Sequence, residues 1–142
     1  MKKMMAIAVV AISLATSTIA GASTHSRYAA WINATRPVIT AWGNHNSKMV
    51  NDMKAGNIYA TKVDLNNMAG DVLHLYQHCD SPDAQTNRDM QKFADDARLY
   101  VLYINNAVNG KNDGSAIRSY INTVVADMST LTSDIYRDNA KY

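Results

Sequence analysis

Asp71, His74, His78 and Cys79 bring an acid, two histidines and the only cysteine into one short stretch, DVLHLYQHC. Histidines four apart share a helical face, and both imidazoles can reach one zinc, copper or nickel ion. Asp71 precedes His74 by three and falls on the same stripe. A tight site takes three or four ligands, so a neighbouring helix would have to complete the set. His74 and His78 are therefore the candidate metal ligands. The competing reading is structural, because a protonated histidine near a helix C-terminus interacts well with its negative end.

His45 is the third histidine of interest. It stands between Trp42 and Met49, and some four-helix bundles hold haem between Met and His ligands. No C-x-x-C-H motif is present, so haem would be held without covalent attachment. Beyond these metal and haem alternatives no cofactor is expected. Cys79 sits at a helix end beside Asp80, the opposite of the electropositive setting a reactive thiol needs. It reads as a small hydrophobe, with an intermolecular disulfide as the alternative.

Signatures of catalysis are missing. There is no G-x-S-x-G, H-E-x-x-H, Walker loop or dinucleotide fingerprint. All 12 acids are aspartate, and their scatter pairs no obvious general acid with a base. The expectation is a chain that is not an enzyme.

The elements that must position these residues show in the apolar spacing. Tyr28, Trp31, Thr35, Val38, Trp42, His45 and Met49 form one seam, widened by Ile32, Ile39, Val50 and Met53. A second runs through Ile58, Thr61, Leu65, Met68, Val72, Leu75 and Cys79. Met90, Phe93, Ala97, Tyr100, Ile104 and Ala107 make a third. Ile117, Ile121, Val124, Met128, Leu131 and Ile135 make the fourth. Steps of three and four put each set on one face of a helix. Gly56 and the Asn109–Gly114 loop mark helix ends, and Ser81-Pro82 reads as an N-cap and first helical residue. Ser115 can cap the last helix. No internal sequence repeat stands out.

These segments predict an all-α fold, an antiparallel up-down-up-down four-helix bundle. Pro37 interrupts the first helix pattern without shifting its phase, which predicts one helix kinked near Pro37. Tyr28, Trp31 and Trp42 keep core spacing. A groove opened by the kink would make them a surface for a protein partner or small ligand.

The N-terminus directs the chain elsewhere. Lys2-Lys3, an apolar run from Met4 to about Leu14, and Ala20-Gly21-Ala22 have the form of a cleaved bacterial signal peptide over residues 1–22. The apolar run is shorter than the ~20 residues a membrane span needs. Residues 23–142 then form a single helical-bundle domain, with no membrane span after cleavage. Two of the 14 basic residues, Lys2 and Lys3, leave with the signal, and the remaining 12 balance 12 acids. Such neutrality offers nothing to nucleic acid.

Three stretches carry a resemblance. The aromatic, proline-containing YAAWINATRPVITAW, the ending DVLHLYQHCDSPD, and a Gly-Asn-Asp loop before an apolar last helix resemble small secreted or lipid-anchored helical proteins of actinobacteria and their phages. Such proteins mostly have no assigned activity. The resemblance implies a secreted bundle and transfers no site, and the cysteine of the lipid-anchored kind is missing here. The expected function is non-catalytic binding in the cell envelope or outside the cell, as a monomer or weak oligomer. A metal or haem carrier using His74/His78 or His45 is the alternative.

Overall fold

The computed structural model describes residues 23–111 and 114–142; the expected signal segment and its cut lie outside the described residues. Four helices follow in chain order: α1 (Ser23–Lys54), α2 (Ile58–Gln77), α3 (Ala84–Val108) and α4 (Gly114–Lys141). Among the described residues there is no strand. Backbone packing is closest between consecutive helices, α1 with α2, α2 with α3 and α3 with α4. Cross-helix bonds fix the directions. His45 meets Asp71 while Lys48 meets Asp64, so a forward step on α1 is a backward step on α2. Thr86–Asp138 and Lys92–Asp127 do the same for α3 and α4. The result is an all-α, antiparallel four-helix bundle.

The ends of α1 and α3 share one chemistry. Gly56 takes φ +73° and donates to the Met53 carbonyl at 3.1 Å, while Asn57 donates to Asp52 at 2.9 Å. Gly110 (φ +87°) and Lys111 repeat this with Ala107 and Asn106. Both satisfy helix-end carbonyls through a left-handed residue that only glycine adopts without cost. Asn57 also starts α2, its side chain accepting from Ala60 N at 3.1 Å.

The start of α3 differs from expectation. Ser81 is not the cap; its hydroxyl accepts from Asp83 N at 3.1 Å and builds a tight turn. Asp83 caps instead, its Oδ1 accepting from Gln85 N at 2.9 Å and Thr86 N at 3.0 Å. A carboxylate is the stronger acceptor at the positive end of a helix. Ser115 already lies inside α4.

α1 runs unbroken through Pro37. Pro37 and Asn33, whose carbonyl loses its usual donor, are both exposed. The defect therefore faces solvent rather than the core. The seams form one core. All six α4 positions are buried, as are Met90, Phe93, Ala97, Tyr100 and Ile104 on α3. Each fully buried Leu or Ile contributes ~1.5–3 kcal/mol. Trp42 is fully buried edge-on against Phe93, ring centroids 5.3 Å apart. Ile58 departs from its seam; it is the first residue of α2 and stays 47% exposed.

The structure also exposes a repeat that residue identities hide. Lys48 and Asp52 on α1 correspond to Lys92 and Asp96 on α3. On α2, VDLNNMAGDV aligns with ADMSTLTSDI on α4, placing Asp64 and Asp71 beside Asp127 and Asp134. In each hairpin the lysine bonds the aspartate four residues on and an aspartate of the next helix. The two hairpins thus share one polar register while their apolar residues differ.

Candidate functional site

The residues singled out for metal chemistry are not gathered. Asp71 turns away from the His74 stripe into the α1–α2 seam, where it is buried and 2.5 Å from His45 Nδ1. His74 is exposed. His78 is half-buried as the C-cap of α2, its N–H donating to Leu75 O at 3.0 Å and its carbonyl accepting from Trp31 Nε1 at 2.8 Å. Among the described residues no group of three His, Cys, Asp or Glu side chains could hold a metal ion. His45, the haem candidate, is engaged with Asp71. Burial pushes the half-buried Cys79 thiol up, and Asp80 and Asp95 add to it; Sγ lies 3.7 Å from Leu75 O.

The aromatic stripe keeps to the core. Tyr28, Trp31 and Trp42 are all buried and present no outer surface. Tyr28 OH donates to Ile135 O at 2.9 Å, tying α1 to α4. Trp31 ties α1 to the end of α2. A ring with a polar tip serves a bundle seam well, because the tip satisfies a carbonyl while the ring fills the core.

Spacing alone missed the polar seams. Lys92 Nζ donates to Asp96 at 2.8 Å and Asp127 at 2.7 Å. Burial pushes the Asp127 carboxyl up to about 6, and a hydrogen bond with Asp96 adds to it, against the pull of Lys92. Asp96 is partly buried too, but bonds with Asp127 and Lys92 hold it below the usual range. Two turns along, burial and a hydrogen bond with Asp89 push Asp134 up to about 6. Asp89 is held low, first by Asp134. In the other hairpin, burial raises Asp64 above its usual value despite Lys48. Arg137 gathers Asp134 at 2.7 Å, Asp138 at 2.8 Å and Asp83 at 3.0 Å, and Thr86 donates to the buried Asp138.

Two carboxyls near pH 6 have an acidity suited to proton transfer. Proton transfer also needs a place for substrate, and these pairs are packed into helix seams against Lys92 and Arg137. A groove of about 410 Å³ lies elsewhere, between α2 and α3. Its apolar floor is Leu65, Ala69, Val101 and Leu102; Lys62, Asn66, Arg98 and Asn105 supply the polar groups. Among the described residues no acid, histidine, serine or cysteine lines it. The groove is not the one expected at Pro37.

The signal that could have found the seams was the doubled Lys-x-x-x-Asp spacing with the Asp-x6-Asp spacing, which recurs at Asp64/Asp71, Asp89/Asp96 and Asp127/Asp134. The groove had no comparable signal, since its lining alternates apolar, amide and basic residues. No helix among the described residues is long and apolar enough to cross a membrane. Comparison of the chain with protein-family models, with curated proteins and with solved structures gives no match.

Proposed function

We propose that this chain is an exported, non-catalytic binding protein that makes contact through the α2–α3 groove. The carrying observation is the division of its polar groups. The seam-facing acids are held by His45, Lys92 and Arg137 along the helix seams. The groove instead combines an apolar floor with Lys62 and Arg98, neither within ion-pair distance of a carboxylate among the described residues. Apolar contact with a few convergent polar groups is the usual composition of a recognition surface. A carrier using His74 and His78 would need a third ligand from outside the bundle, and one using His45 would have to break its bond to Asp71. Export rests on the Lys2–Ala22 pattern and the resemblance to secreted helical proteins of actinobacteria and their phages.

Lysine acetylation in the native culture fluid and cell envelope tests this reading. Lys62 should be protected there relative to purified protein, while Lys54, exposed and outside the groove, labels equally in both. Equal labelling of Lys62 in the two settings overturns the groove as the contact surface.

A further inference from the structure

Building on that binding role, we infer that the α2–α3 groove receives an acidic amphipathic helix presented by another protein. Register gives the shape of the site. Tyr76 on α2 meets Asp95 on α3 at 2.5 Å. Counting away from that contact in antiparallel directions, Arg98 faces the turn that carries Leu73. Lys62 lies eleven residues further back on α2, ~16 Å along the axis at 1.5 Å per residue. The two cations therefore stand on opposite walls and towards opposite ends of the trench.

Apolar surface continues beyond the groove itself. Leu73 is 65% exposed, and Ile58, 47% exposed, stands four residues before Lys62 on the same stripe of α2. A long trench open along its side accepts the apolar face of a helix, with anchors every three or four residues. An enclosed pocket that buries most of a small ligand has a different form. A single-headed amphiphile would use one cation and leave the other, as well as Leu73, without a role.

Charge selects the sign of the partner. Among the described residues the groove lining has no acid, and Asn66 and Asn105 add amide groups between the cations. Asp95, the acid nearest Arg98 in the chain on this face, accepts from Tyr76 OH. A helix with carboxylates on both flanks of its apolar stripe meets Lys62 at one end and Arg98 at the other. A basic helix meets two like charges, which disfavours it.

Titration of the purified protein, followed by amide chemical shifts and calorimetry, tests the assignment. The probes are a synthetic 16-residue helical peptide with a leucine stripe flanked by glutamates, the same peptide with lysines in place of glutamates, palmitate, and phosphatidylglycerol vesicles. The acidic peptide should bind saturably and shift amides of Lys62, Ala69, Arg98 and Leu102. Reversing both cations (Lys62→Glu with Arg98→Glu) should weaken it by about tenfold or more. Leu73→Ser with Leu102→Ser should weaken it without changing its salt dependence. All four positions are exposed, so an unchanged circular dichroism spectrum separates lost binding from lost folding. Equal binding of the lysine peptide, or unchanged affinity after charge reversal, overturns the inference. Groove shifts with palmitate or vesicles but not with the acidic peptide overturn the helical partner while leaving the groove a binding surface. Absence of groove shifts with every probe, together with unprotected Lys62 in native fluid, removes both.

Discussion

Replacing Asp127 with Asn should stabilise this protein at neutral pH and do so far less in mild acid. Asp127 is buried at 7% exposure, with Oδ1 on Lys92. Its carboxyl titrates near 6 instead of 3.8, mainly because burial disfavours the charge. The folded state therefore holds this proton more tightly than the unfolded chain. The stabilisation is fully present below about pH 3.8 and is lost as pH rises through about 6. At ~1.4 kcal/mol per pH unit, ionising the buried group costs ~3 kcal/mol by pH 7.5. Asp96 and Lys92 share the same proton and charge, and the asparagine gives up the attraction of Lys92. The net gain for Asp127→Asn should be ~1–2 kcal/mol. Asparagine keeps an acceptor for Lys92 and offers Asp96 an N–H, as the protonated acid does. Urea unfolding at pH 7.5 and pH 4.5, read from the buried Trp42 and Trp31, measures the difference. A loss of more than ~1 kcal/mol at pH 7.5 would show that the ionised Lys92–Asp127 pair is net stabilising and refute the reasoning.

Asp134, also near 6, acts in the same direction, whereas Asp83, Asp89 and Asp96 are held low and stabilise above 3.8, an effect lost as pH falls through their lowered values. Wild-type stability should therefore peak near pH 4 and fall as pH rises through about 6, and a flat or rising profile from pH 5 to 8 would contradict this. Thr35→Val should be neutral or stabilising by up to ~1 kcal/mol in the same assay, because the fully buried Thr35 hydroxyl has no partner. Gly56→Ala should cost ~1 kcal/mol: nothing lies within 4 Å of the added carbon, so only the left-handed backbone is strained. Iodoacetamide should alkylate native Cys79 at least about tenfold more slowly than the urea-unfolded chain at pH 8, since burial raises its thiol pKa; equal rates would place the thiol in the open.

The apolar seams were legible because helix period and burial are both local properties of sequence. Leu65, Met68, Val72 and Leu75 repeat at three and four, and all four are buried. Ile58 failed that rule because a first-turn residue has no preceding turn to pack beside it. Polar partners were less legible, because they depend on the register of a second helix. Asp71 has His74 on its own stripe but meets His45 across the seam. Lys92 finds Asp96 within α3 at i+4, a readable pair, and Asp127 only after α4 folds back. Ser81 and Asp83 both suit a cap, and the choice turned on which amide each oxygen reached. The groove was hidden for a further reason. Lys62, Ala69, Arg98 and Leu102 become neighbours only when α2 and α3 pack, and none marks a site alone.

Hydrogen exchange of the protein in buffer and in the native culture fluid and envelope tests the groove most directly. The proposed contact predicts slower exchange over residues 62–69 of α2 and 98–105 of α3, with α1 and α4 unchanged. Protection centred on α1 or α4, or identical exchange in both settings, would contradict it.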